Sequence, residues 1–178
     1  NAEVSYHTQF HLSGKFTSKF EKVNLLVNGS VLPDKEIAER IKNLPIHHAL
    51  VKGDTIIALK LESTTARLYL GGEMPDQLAY LEWELPFTQL KNIWEIFTLN
   101  DSEIRKDFSV LTEGKRSMAL NDSNRLIGDE SLLFIEEGAS VECSILNTKT
   151  GPIYIAENAE VLEGCMLRGP LAMCEHSA

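Results

Sequence analysis

The sequence predicts two architectures in succession, an α/β part followed by the start of a parallel β-helix. Two patterns predict them. An apolar run at Val23–Val27, a capped helical pattern after Pro33 and a β-branched run ending at Leu61 follow one another as strand, helix and strand, the order that builds an α/β sheet. From Ile155 onward aliphatic residues recur every six positions, a period that belongs neither to a helix nor to a single strand. A composition of 43% apolar and 24% charged residues supplies enough core for both and is far from that of a disordered chain.

Val23-Asn24-Leu25-Leu26-Val27 has the size and composition of a buried strand, and Asn28-Gly29 closes it with a turn. Past Pro33, Asp34 caps a helix whose apolar residues Ile37, Ile41 and Leu44 share one face, and Pro45 ends it. His47 to Gly53 leads into Asp54–Leu61, rich in β-branched residues and read as a second strand. Thr64 to Leu90 is punctuated by Gly71-Gly72, Pro75 and Pro86 and is assigned loops and short strands. Ile93 to Phe97 reads as a short helical or connecting segment. Asp101 or Ser102 then caps a helix carrying Ile104, Phe108 and Leu111, with Gly114 at its C-terminal end. The polar stretch Asp122 to Asp129 reads as a linker, giving domains at 1–125 and 126–178.

In the repeats, Ile155, Val161, Leu167 and Met173 keep the six-residue step, and small or apolar Ala159, Cys165 and Leu171 follow four places behind. Such a period fits coils in which each hexad forms one flat face, three hexads close a turn and the aliphatic residue points inward. Upstream, Ile135 and Val141 share the step, with Ala139 and Ile145 four behind. The fourteen residues from Val141 to Ile155 break the phase, which places an outward bulge at 147–152. Ordinary strands in a sandwich are the rival reading, and they would show period two alone.

A net charge of −9 argues against nucleic acid and anionic membranes as partners, since both are bound by clustered Lys and Arg. No run approaches the ~20 apolar residues of a membrane span, and the opening Asn1-Ala2-Glu3 has no leader character. Three cysteines, Cys143, Cys165 and Cys174, without a CxxC pair suit a reducing cytoplasm. The absent initial Met and the stop within a repeat read as a fragment of a longer chain.

Asn147 to Tyr154, Ile155 to Gly164, Leu167-Arg168-Gly169-Pro170 and Cys174-Glu175-His176 resemble the sugar nucleotidyltransferases common in Bacteroidetes. These are relatives of the bifunctional UDP-N-acetylglucosamine pyrophosphorylase/glucosamine-1-phosphate acetyltransferase. Asn24 to Pro33, Trp94 to Phe97 and Asp107-Phe108 are similar to the same family. The resemblance implies a Rossmann-like nucleotidyltransferase part, then a left-handed β-helix of acyltransferase type that forms a homotrimer. It implies a nucleoside triphosphate and a sugar 1-phosphate as substrates, with Mg²⁺ and acetyl-CoA as cofactors of a full-length parent. The Gly-rich phosphate loop is expected upstream of Asn1 and the acetyl-CoA coils beyond Ala178, so the fragment alone is expected to be inactive and secures neither cofactor.

Where such enzymes carry Gly-Asp to hold Mg²⁺, this chain reads Gly29-Ser30. A neutral hydroxyl cannot replace that charge, so Asn28, Gly29 and Ser30 are the candidate substrate-binding residues, set against a plain strand-ending turn. No metal ligand and no catalytic residue is assigned. Asp54 reads as a turn residue, His47-His48 as a surface loop, and His176 as a corner rather than a general base. Cys165 and Cys174 read as core or corner residues and Arg168 as a solvated corner. The sequons at Asn28, Asn100 and Asn121 carry nothing in a cytoplasm. Two other functions stay open: an acyltransferase with a non-catalytic α/β part, and a non-catalytic sugar-nucleotide-binding protein that trimerises.

Overall fold

A computed structural model of the chain describes residues 3–178; Asn1 and Ala2, of the opening stretch expected to have no leader character, lie outside the described residues. The chain forms two compact units, Asn1–Lys91 and Asn92–Ala178. Among the described residues no helix is long and apolar enough to cross a membrane.

After a short 3-10 helix at Phe10–Leu12, the first unit forms β1 (Val23–Val27) and β2 (Val31–Leu32), joined by the turn at Asn28 to Ser30. Next comes α1 (Lys35–Lys42), whose first turn is capped by Asp34 through a 2.9 Å bond from the Ile37 amide. Ile37 and Ile41 bury one stripe of α1, and Leu44, just past its end, joins them at 1% exposure. β3 (His48–Lys52) and β4 (Thr55–Glu62) form a hairpin whose two-residue loop starts at Gly53, φ +54°, where a side chain would strain the turn. α2 (Ser63–Leu70), β5 (Ala79–Glu82) and β6 (Thr88–Gln89) complete the unit.

The main sheet runs β1-β4-β3-β5, with β1 and β3 antiparallel to β4 and β5 parallel to β3. The second strand expected at Asp54–Leu61 is β4, and it pairs directly with β1 in antiparallel fashion instead of closing a parallel strand-helix-strand unit; the lead-in from His47 to Gly53 holds a further strand, β3, which runs parallel to β1 on the far side of β4. Alternation along β3 divides the core by face. Leu50 packs with Val31, Ile37, Ile41, Leu44 and Trp83, while Ala49 and Val51 pack with Leu59, Leu61 and Ala66 of the other side. Contrary to the buried strand expected at Val23–Val27, β1 is an edge. Val23, Leu25 and Val27 are 36%, 41% and 49% exposed because these alternate residues share the uncovered face of β1, while Leu26 on the opposite face packs against the core. Helix α2 stands where loops and short strands are expected. Its Ser63-Thr64-Thr65 start is a poor helix former, Glu62 gives it no side-chain cap, and only Ala66 is buried.

The second unit opens with α3 (Glu95–Thr112), one continuous helix where a short segment and a separately capped helix were expected. Glu95 anchors its start by accepting the Asn92 amide at 2.9 Å, and Asp101 is engaged by Arg105 instead of capping. Gly114, φ +72°, follows its end as predicted. Of its apolar residues Phe108 is buried, whereas Leu111 is 43% exposed.

Eight short strands follow: β7 (Arg125–Ile127), β8 (Leu133–Ile135), β9 (Ser140–Val141), β10 (Ile145–Asn147), β11 (Ile153–Ile155), β12 (Glu160–Val161), β13 (Met166–Arg168) and β14 (Leu171–Met173). They pair in parallel as β7-β10-β13, β8-β11-β14 and β9-β12. Paired residues lie 18–21 positions apart: Leu133 faces Ile153, which faces Leu171. The polar stretch expected as a linker thus contains β7, and of its two aliphatic residues, Leu126 and Ile127, Leu126 packs against the shared core. That core comprises Leu133, Ile135, Val141, Leu146, Ile153, Ile155, Ala159 and Val161, flanked by Leu167, Leu171 and Met173.

Leu146, at 0% exposure and paired with Leu167, takes the inward place that a six-residue step from Val141 would give Asn147. The phase therefore shortens by one residue after Val141 and lengthens through the loop at 148–152, where the bulge was expected. On the outer face, Phe134 and Tyr154 stack with centroids 5.7 Å apart and are covered by Phe108.

Candidate functional site

The loop between β1 and β2 is built from backbone constraints. The Asn28 amide donates to Ile57 O at 2.9 Å and the Val31 amide to Asn28 O at 3.0 Å, which closes the turn. The Asn28 side chain spans it: Nδ2 donates to Ile56 O at 3.0 Å, and Oδ1 accepts the Ser30 amide at 3.0 Å and the Ser30 hydroxyl at 2.8 Å. Asn28 and Ser30 are half-buried, while Gly29 is exposed with open space around its Cα. Sequence reasoning missed a fourth member. Gln89 of β6 donates from Nε2 to Ser30 Oγ at 3.0 Å, brought there by the antiparallel pairing of Val31 with Gln89. No local signal could have found it, because 59 residues separate the two side chains.

The remaining candidates do not converge on this loop. Asp54 is exposed in the β3–β4 hairpin turn. His47 takes φ +59° and serves through its backbone, and His48 Nδ1 lies 2.9 Å from Ile46 O. His176 is an exposed corner residue, φ +57°, its amide bonded to Glu157 O. Cys165 packs against the core of the second unit; Cys143, Cys174 and Arg168 are exposed.

Mg²⁺ prefers charged oxygen ligands, whereas the loop offers a neutral amide and a neutral hydroxyl already bonded to each other. Among the described residues no three His, Cys, Asp or Glu side chains are grouped to hold a metal ion. The donor set at Asn28 to Ser30 does not fit the cation.

The second unit holds one further polar cluster, an open groove lined by Lys115, Arg116, Phe134, Glu136, Glu137 and Glu157. Of its lining residues, Glu136 accepts the Tyr154 hydroxyl at Oε1, 2.6 Å, and the Glu157 amide at Oε2, 3.1 Å. Lys115 Nζ lies 3.5 Å from the same carboxylate. The Tyr154 bond draws the Glu136 carboxyl below the usual carboxylate range. Burial, then the carboxylate itself, push the Tyr154 phenol up to about 12. With its oxygens satisfied within the fold, Glu136 is a structural brace rather than a reacting group.

The edge strand β1 thus ends in an open Asn-Gly-Ser turn that lies beside the half-buried amide of Gln89. The model of the sugar nucleotidyl transferase family matches residues 1–116, and the chain belongs to that family. No curated protein matches it.

Proposed function

We propose that the chain serves in sugar-nucleotide synthesis, its α/β part joining a nucleotidyl group from a nucleoside triphosphate to a sugar 1-phosphate. In that reaction a phosphate oxygen of the sugar 1-phosphate bonds to the α-phosphorus as the bond to the leaving pyrophosphate breaks. Family membership over residues 1–116 carries the reading. Asn28, Gly29 and Ser30 are its substrate contacts, supported by the open space at Gly29 and the half-buried polar side chains on either side of it.

The parallel sheets, with partners 18–21 residues apart, support reading the second unit as the first coils of a left-handed β-helix of hexapeptide repeats. Within this proposal the chain is a piece of a bifunctional-type enzyme, related to the Bacteroidetes proteins and active in the cytoplasm. The fused β-helix is of acyltransferase type, and a longer parent is trimeric, binding Mg²⁺ and acetyl-CoA through residues outside this chain. The modules are 1–125 and 126–178. One observation favours a second reading, a non-catalytic sugar-nucleotide-binding role: Ser30 stands where the activity calls for a carboxylate, and its hydroxyl is committed to Asn28.

Titrating the purified chain by calorimetry with UDP-, dTDP-, GDP- and ADP-hexoses tests both. The chain is expected to bind at least one and to form none from its precursors, and Ser30→Trp should block binding. Failure to bind any of them overturns the shared premise. Affinity unchanged by Ser30→Trp removes the loop from the site.

A further inference from the structure

The bonds around Ser30 have a direction, and backbone atoms set it. Ile56 O only accepts and the Ser30 amide only donates, so the Asn28 side chain must turn its nitrogen to the first and its oxygen to the second. The Ser30 hydroxyl, 2.8 Å from that same Oδ1, must then give it its proton, since two unprotonated oxygens would repel there. With the proton spent, Ser30 Oγ can only accept from Gln89, so the Gln89 amide must present Nε2 at 3.0 Å. Asn28 Oδ1 has both lone pairs in use. Ser30 Oγ keeps one lone pair, and Gln89 Oε1 takes part in no hydrogen bond among the described residues.

A ligand atom arriving at Ser30 therefore meets an acceptor. Phosphate oxygens at neutral pH only accept, and a hard cation finds no charge. A hydroxyl can donate to Ser30 and at the same time accept the second N–H of Gln89. We infer that Asn28, Ser30 and Gln89 form a subsite for a sugar hydroxyl of the ligand, with Gln89 the positioning residue that aims the remaining Ser30 lone pair. The inference rests on the sugar-nucleotide reading above and names the part of the ligand that this loop receives.

The test measures Kd by calorimetry for the tightest-binding hexose nucleotide of that panel and its analogues. In these, one hexose or ribose hydroxyl at a time is replaced by hydrogen or by fluorine, which accepts but cannot donate. At one position, fluorine should weaken binding about as much as hydrogen does, roughly tenfold. The position affected tells hexose from ribose. Ser30→Ala should bring the hydroxyl-to-fluorine ratio at that position to within about twofold, and Gln89→Met should lower it at least threefold. Ratios at the other positions should not move in either variant, which a merely structural loss would not achieve. Fluorine tolerated everywhere, or a ratio that survives Ser30→Ala, overturns the subsite while leaving sugar-nucleotide binding intact. An unchanged ratio in Gln89→Met removes Gln89 from it, and binding of no panel member fails the underlying reading instead.

Discussion

Leu146→Ala paired with Ile145→Ala tests the inward phase of the parallel strands where the six-residue pattern breaks. The two residues are neighbours on β10 and alternate in direction, so only one can enter the core. Leu146 is fully buried among Val141, Ile153 and Ile155, whereas Ile145 is half-buried and outside that cluster. Truncating a fully buried leucine costs about 2–5 kcal/mol, because transfer energy is lost and a cavity is left. Truncating a half-buried isoleucine on the outer face should cost about 1 kcal/mol. Native-state hydrogen exchange reads the difference in the unit concerned through the amides of Ile145, bonded to Cys165 O, and Leu171, bonded to Pro152 O. At about 1.4 kcal/mol per tenfold, Leu146→Ala should accelerate both by roughly 30-fold or more, and Ile145→Ala by about fivefold. Equal acceleration, or a larger effect from Ile145→Ala, would refute the register and restore the unbroken six-residue phase.

The regular part of the repeat makes a parallel claim: Val161→Asp, burying an unpaired charge at a 4% exposed site, should destabilise by about 3 kcal/mol or more. Outward-facing Glu160→Ala should stay within about 0.5 kcal/mol in the same denaturant titration. Gly128→Ala should destabilise by about 1–3 kcal/mol, since Gly128 has φ +117° and a Cβ there would stand 2.5 Å from Thr148 Oγ1. A melting temperature equal to wild type would count against that stacked loop geometry. For Glu136, whose carboxyl is depressed, the stabilisation is present above the unfolded carboxylate pKa and is lost as pH falls through the lower folded value. The melting-temperature gap between wild type and Tyr154→Phe should therefore shrink on acidification below about pH 4. On the alkaline side the phenol is raised, so its contribution is full below its unfolded value and is lost as pH climbs through about 12.

Legibility followed how local each determinant was. Strand β1 and helix α1 were readable because a short apolar run, an Asp34 cap and a stripe of Ile37 and Ile41 lie within twenty residues of one another. That one face of β1 is uncovered was not readable, since it depends on what packs over the sheet and not on the strand's own residues. Helix α2 lacked both a cap and an apolar stripe, and β7 is three residues long with two aliphatics, of which Leu126 gains meaning only beneath Leu146. Six-residue counting located the 147–152 irregularity but not its compensation, a one-residue shortening before Leu146. At the candidate site the Asn28–Ser30 turn was visible as turn chemistry, while Gln89 was hidden because strand pairing alone brings it there.

Helix α3 shows why the sequence module and the folded module need not share a boundary. The family match runs through it to residue 116, yet α3 belongs to the compact unit of the parallel strands. An eighteen-residue helix with one buried side chain gains little from its own propensity and needs an external anchor. Phe108 supplies one by packing on Phe134, Tyr154 and Ala156, and Arg105 adds another through its bond to Thr150 O. The strands in turn have an outer face of stacked aromatics that would be wet without the helix. Each half of that contact is incomplete alone, so a cut at residue 116 would divide a single packing unit even though it respects the limit of the family.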